Sequence, residues 1–280
     1  MTVGHRAAVL GSPIGHSLSP ILHRTAYAAL GLRDWRYDSF ECTEEGLPAL
    51  VETMGSEWAG LSLTMPLKRA VLPLLETVSE LAVQVGSANT VVFRDGVRHG
   101  ENTDVYGIVQ ALAETGVSAP SAVTILGGGA TAASAVAAVR EMGLSETTLV
   151  VREAARAAET LEVAERLGVA VAVRTFDTFG RSSVDADLIV STLPSGAADG
   201  VADEIARGLP EKGALLDVVY SPWPTVLARA VQERGGTVVS GFSMLLHQAA
   251  RQVELMTGHG EVPVEAMRAA GEAEIARRSA

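Results

Sequence analysis

The chain has 280 residues, 48% hydrophobic and 20% charged, enough to bury a real core in one large or two modest domains. Its net charge of −11 gives no electrostatic basis for binding nucleic acid or an anionic membrane. Cys42 is the only cysteine, which rules out an intrachain disulfide and fits a reducing, cytoplasmic setting. The first residues lack the basic region and apolar run of a signal peptide. The uncharged run 117–139 holds Pro120 and three consecutive glycines, so it is not read as a membrane span. His16, His23 and His247 have no metal-ligand spacing, and no metal is expected.

In chain order, Ala7 to Gly11 is a short apolar run ending in glycine, read as a first strand. A loop, Gly-Ser-Pro-Ile-Gly-His-Ser-Leu-Ser-Pro, follows at 11–20. Ser19 is placed to cap the next helix and Pro20 to fill its first turn. Ser17 has no such role. Two hydroxyls at i and i+2 beside a helix N-terminus suit a carboxylate or phosphate. Residues 35–42 read as a second strand, 44–54 as a helix, and 58–64 as a third strand, where Leu61 and Leu63 alternate with Ser62 and Thr64. Met65-Pro66 stops that strand, so Thr64 and Lys68 stand at a strand-to-helix junction, the edge at which open α/β sheets bind ligands.

Residues 87–93 form a further strand running into Asp95-Gly96, a two-residue hairpin signal. Folding back about that turn sets Asn89 opposite Asn102 and brings Asp104 near Asn89. Asp104 also precedes a helical pattern and could serve there as a cap. At 122–142 an apolar strand, the turn Gly127-Gly128-Gly129-Ala130-Thr131-Ala132 and an alanine-rich helix supply the context that a dinucleotide fingerprint requires. Gly127 makes the tight turn, Gly129 admits the pyrophosphate, and Ala132 stands at the third glycine position. The next strand, 147–151, ends in Arg152-Glu153, with Arg156 one turn on. Two arginines suit the 2′-phosphate of NADP, whereas Glu153 keeps NAD open. Apolar runs at 169–173, 187–191, 214–219 and 237–239 complete a doubly wound sheet. A helix then runs from Gly241 to Met256, and Pro263 opens a last one ending at Arg277-Arg278, basic residues that complement its dipole.

Taken together these stretches resemble the shikimate dehydrogenase family over nearly the whole length and in the family's order. The loop 11–20 looks like its carboxylate loop, and Ser62 to Lys68 like its Asn-Val-Thr-x-Pro-x-Lys motif. Gly86 to Thr90 and Asn102 to Asp104 look like its two polar substrate strands. Asp217 to Pro222 with Tyr220, and Met244 to Ala249 with Gln248, look like its late motifs. The resemblance implies a two-domain α/β protein: an N-terminal α/β substrate domain (1–104 plus 242–280) and a Rossmann-type, doubly wound dinucleotide-binding domain (105–241). It implies reversible NADP-dependent reduction of 3-dehydroshikimate to shikimate by a monomer or homodimer, with Lys68 as acid/base and Asp104 as its partner. Ser17, Ser19, Thr64 and Tyr220 would hold the carboxylate. Asn89, Asp104 and Gln248 would hold the ring hydroxyls, with Ser62 alongside. The glycine turn, Arg152, Arg156, Thr192, Val218 and Gly241 would meet the cofactor.

Three departures from the family pattern stand out. Ser62 replaces asparagine, which is expected to lose or shorten one hydrogen bond to substrate. Val151 and Glu153 flank Arg152 where NADP members usually read Asn-Arg-Thr. Ala130 and Thr131 follow Gly129 where a further glycine is common. Two rival readings remain: an NAD-dependent quinate/shikimate dehydrogenase, and a nucleotide-binding regulatory protein without turnover.

Overall fold

The structure, a computed structural model, describes residues 4–179 and 185–279. It divides into one unit of Met1–Thr103 with Leu246–Ala280 and a second of Asp104–Leu245.

The first unit carries β1 (His5–Gly11), β2 (Trp35–Glu41), β3 (Trp58–Leu63), β4 (Thr77–Val78), β5 (Thr90–Arg94) and β6 (Val97–Glu101), in the order β2-β1-β3-β5-β6-β4. β1 is parallel to β2 and β3, and β5 is antiparallel to β3 and β6. Every residue of β3 is buried, as befits a strand covered on both faces. Leu10, Leu47, Leu61, Leu63, Leu67 and Val91 lie in the core beside it. The hairpin turns at Asp95 (φ 54°) and Gly96 (φ 77°), and its register pairs Arg94 with Val97 and Thr90 with Glu101. Both turn residues lie in the left-handed region that a type I′ turn demands.

Three details depart from the sequence reading. The β5 ladder starts at Thr90, not at 87, because Ala88 N–H is diverted to the Lys68 carbonyl (2.8 Å). The helix expected at 44–54 is confined to Leu47–Glu52, with Pro48 in its first turn. β4 is too short to show any periodicity and was not foreseen.

The second unit is all parallel: β7 (Val123–Leu126), β8 (Glu146–Val151), β9 (Ala170–Thr175), β10 (Leu188–Ser191), β11 (Ala214–Asp217) and β12 (Thr237–Ser240). Their order is β12-β11-β10-β7-β8-β9, which counted from β7 is the 3-2-1-4-5-6 of dinucleotide-binding folds. The order reverses between β7 and β10, so the ligand crevice is expected at the C-terminal ends of those two strands. Leu126, Val150, Ile189 and Leu215 fill the core under that edge. Among the described residues no helix is long and apolar enough to cross a membrane.

Candidate functional site

The first unit's polar edge is assembled by its backbone. Parallel pairing of β1 and β3 delivers two loops to the same end of the sheet. Ser12 N–H donates to Met65 O (3.0 Å) and Thr64 N–H to Leu10 O (2.9 Å). A Cβ at Gly11 would lie 2.2 Å from Thr64 Cγ2, so only glycine permits this approach. On the other side Leu63 N–H donates to Asn89 O (2.7 Å), and Lys68 O receives Ala88 N–H. The segment holding Thr64 and Lys68 is thereby stitched between the 11–19 loop and the start of β5. Lys68, half-buried, lies in the short helix Leu67–Ala70.

Asn89 is the best-anchored polar side chain at this edge, 1% exposed. Its Oδ1 accepts from Thr103 N–H (2.8 Å) and Thr90 Oγ1 (3.0 Å). A backbone N–H can only donate, so this contact fixes which end of the amide is oxygen. Nδ2 then donates to Thr103 Oγ1 and to Gln248 Oε1, both at 3.0 Å. Gln248 is oriented in turn, with its own NH₂ group directed away from Asn89. Asp104 follows Thr103 directly, is buried, and opens the helix Asp104–Glu114 in the second unit. Thr103 was not singled out from the sequence, although it lies inside the polar triplet at 102–104.

Two expectations need correction. Ser19 is not the helix cap. The helix is Ser19–Ala29, the cap position falls on Leu18, and no side chain caps it. Instead Ser17 Oγ accepts Ser19 N–H (3.2 Å), so the hydroxyl thought to lack a local role has one. The buried Ser19 meanwhile offers its carbonyl to His23 Nδ1 (2.9 Å). Ser62, expected beside the substrate, turns its hydroxyl inward. It is 3% exposed, accepts from Tyr37 OH (2.6 Å) and donates to Gln252 Oε1 (2.7 Å).

The C-terminal helix Val264–Ser279 packs on Ser19–Ala29. Arg278, held by Glu274 (2.7 Å), donates through Nη1 to His16 O (2.8 Å) and so grips the loop that carries Ser17. The helix-dipole reading of Arg278 omitted this contact.

In the second unit the glycine turn is tight at Gly127, as its spacing predicts. Gly127 has φ +111° and its N–H donates to Val150 O (2.9 Å). A Cβ on Gly128 would lie 2.4 Å from Arg156 O, whereas among the described residues one on Gly129 would meet no atom within 4 Å. Gly128 is therefore demanded by the chain's own packing, and Gly129 is not. A glycine with nothing to pack against fits a place reserved for a ligand's approach. Gly129 caps the helix Ala130–Glu141 without a side-chain hydrogen bond, which leaves the N–H groups at residues 130–132 to a ligand.

Arg152 and Arg156 are exposed beside this turn, and among the described residues neither makes an ion pair. Glycine turn, bare helix start and two unpaired guanidiniums together suit a pyrophosphate and a further phosphate. Thr192 ties the switch point, donating from both N–H and Oγ1 to Leu126 O (2.8 Å each). Gly241 lies against the Val218 backbone, where a Cβ would come within 1.9 Å of Val218 O. Half-buried Tyr220 stands in the loop after β11, which Asp217 holds by accepting from Thr225 Oγ1 (2.8 Å) and Val219 N–H (3.2 Å). Burial pushes the Asp217 carboxyl upward in pKa, against the pull of those hydrogen bonds.

Comparison with known proteins places this geometry among relatives. Residues 9–91 match the family model of the shikimate dehydrogenase substrate binding domain, and 241–270 that of the shikimate 5′-dehydrogenase C-terminal domain. The shikimate dehydrogenase (NADP(+)) of Methanothermobacter thermautotrophicus is 34% identical over 94% of each chain. The crystal structure of Mycobacterium tuberculosis shikimate dehydrogenase superposes with TM-score 0.88 at 43% identity, covering 96% of this chain and 99% of that one. The Thermus thermophilus shikimate 5-dehydrogenase, solved in complex with NADP(H) and shikimate, gives 0.85 at 32% identity over 96% and 99%.

Proposed function

The chain belongs to the shikimate dehydrogenase family, and we propose that it interconverts 3-dehydroshikimate and shikimate with NADP as redox partner. The observation that carries the reading is the Asn89–Gln248 pair, two half-sites of one hydrogen bond at the sheet edge that also bears Thr64 and Lys68. A ring hydroxyl both donates and accepts. Entering between the two side chains, it accepts from Asn89 Nδ2 and donates to Gln248 Oε1, replacing their 3.0 Å bond at both ends. An analogue without that hydroxyl leaves both groups unpaired and is rejected.

NADP, when bound, supplies or accepts the hydride. Reduction leaves negative charge on the former ketone oxygen, and the Lys68 ammonium delivers the proton there from Nζ. In the reverse direction Lys68 receives that proton. The hydroxyls of Ser17 and Thr64 donate to the substrate carboxylate. Ser62 serves the site from beneath.

Steady-state rates with NADP and NAD, each against shikimate and quinate, test the reading. Turnover is expected to be fastest with NADP and shikimate, and a chain inert towards shikimate with either cofactor would sink it. Lys68→Ala is expected to lower kcat by about 10²-fold or more with little change in KM, because the lysine acts mainly in the transition state. A near-normal kcat in that variant refutes its assignment.

A further inference from the structure

Beneath the proposed substrate site runs a buried chain of side-chain hydrogen bonds that sequence motifs did not mark. It begins at Tyr37 on β2, whose hydroxyl donates to Ser62 Oγ on β3 (2.6 Å). Ser62 donates to Gln252 Oε1 (2.7 Å). The other end of the same amide, Nε2, donates to Thr90 Oγ1 (3.0 Å) and to Asn89 O (3.3 Å). Thr90 passes its own hydrogen to Asn89 Oδ1 (3.0 Å). Tyr37, Ser62, Thr90, Gln252 and Asn89 are each at most 4% exposed.

The direction of every bond follows from one fixed point. Asn89 O can only accept, so the Gln252 end facing it is the NH₂ group and the end facing Ser62 is the oxygen. Ser62 must then donate to Gln252 and accept from Tyr37. Thr90, receiving from Gln252, keeps its hydrogen for Asn89. Ser62 and Thr90 are cross-strand partners in the β3–β5 ladder, and the Gln252 amide bridges them. Asn89 O is already satisfied by Leu63 N–H (2.7 Å), so Gln252 is not needed there to relieve an orphaned carbonyl. What it supplies is the donor that turns the Thr90 hydroxyl towards Asn89. Gln252 also lies one helical turn beyond Gln248, so one face of the helix Gly241–Thr257 holds Asn89 from two levels.

We propose that Gln252 is a positioning residue for substrate recognition: with Ser62 and Tyr37 behind it, it fixes the Asn89 amide in the rotamer that reads a ring hydroxyl. The proposal rests on the assignment of Asn89 and Gln248 to the substrate and extends that machinery to a residue that touches no substrate atom. It also accounts for serine at position 62, whose hydroxyl is spent on Gln252.

The test uses the full chain with Gln252→Met, which keeps the volume and removes the amide, and the double variant Gln252→Ala/Ser62→Asn, which restores an amide opposite Thr90. Shikimate oxidation is followed for each, together with the ratio of kcat/KM for shikimate to that for an analogue lacking the ring hydroxyl. In Gln252→Met the KM for shikimate is expected to rise about tenfold, the ratio to fall by a similar factor, and the KM for NADP to stay unchanged. The double variant is expected to recover most of both losses. A purely structural role would lower Tm and leave the shikimate KM and the ratio where they were, and that result overturns the proposal.

A second readout separates this failure from failure of the functional reading. The Asn89 side-chain NH₂ resonances should be protected from exchange in the parent chain and lose protection in Gln252→Met, whether or not shikimate is turned over. Unchanged protection overturns the positioning role.

Discussion

At the scale of single residues the buried cluster of His23, Tyr37 and Tyr27 makes a pH prediction. The His23 ring stacks on Tyr37 at 3.9 Å, and its Nδ1 donates to Ser19 O. Among the described residues its buried Nε2 has no hydrogen-bond partner. Burial lowers the His23 pKa from 6.5 to about 4, against the opposing pull of the Ser19 carbonyl. Between those two values the unfolded chain binds the proton and the folded chain does not. The stability His23 contributes is therefore complete above pH 6.5 and is lost as pH falls through about 4. His23→Phe keeps the ring stack and removes the titration. In urea unfolding at pH 7 and pH 4.5, the parent chain should lose about 2 kcal/mol more than this variant between the two pH values. Equal losses would show that His23 does not set the acid limb.

At the scale of elements, glycines that look alike in sequence separate by what surrounds them. Gly241 opens the helix Gly241–Thr257 with the Val218 carbonyl 1.9 Å from where a Cβ would stand. The obstacle is backbone, so Gly241→Ala must shift β11 or the helix start. It is expected to cost at least about 3 kcal/mol in unfolding free energy, or to prevent folding. Gly129 faces open space at φ −97°, a conformation any residue adopts. Gly129→Ala should leave stability within about 0.5 kcal/mol of the parent. It should weaken NADP binding about tenfold or more, measured by titration of the cofactor. Parental NADP affinity in the Gly129→Ala variant would show that the pyrophosphate does not approach this turn.

At the scale of the whole molecule, cofactor choice can be read from stability. A ligand that binds only the folded chain stabilises it by about 2.7 kcal/mol at 100 times its Kd. NADP should therefore raise Tm more than NAD at equal concentration. Arg152 and Arg156 are exposed and, among the described residues, without ion pairs, so replacing both with alanine should leave the ligand-free Tm unchanged. The NADP shift should shrink to the size of the NAD shift, because only NADP carries the 2′-phosphate. A double variant whose NADP shift is undiminished would place the phosphate elsewhere. The net charge of −11 makes these two guanidiniums locally valuable, since the molecule as a whole repels a polyanionic cofactor.

What the sequence determined by itself is local. The Asp95-Gly96 turn sets its own register, which pairs Thr90 with Glu101 and so brings Asn89 beside the 101–103 stretch, where its side chain meets Thr103 rather than the expected Asn102. The glycine turn is legible because strand, tight turn and helix follow one another without interruption, and Met65-Pro66 ends β3 by its own chemistry. Only the tertiary structure decided which hydroxyls are consumed inside the protein. Ser62 meets Gln252 across 190 positions of sequence, and Asn89 meets Gln248 across 159. Ser19 lost its expected capping role because the helix begins one residue early and Ser17 takes its N–H. A hydrogen bond depends on distance and direction in space, and separation along the chain carries neither. Periodicity therefore gives the elements, and the fold alone assigns each polar atom its partner.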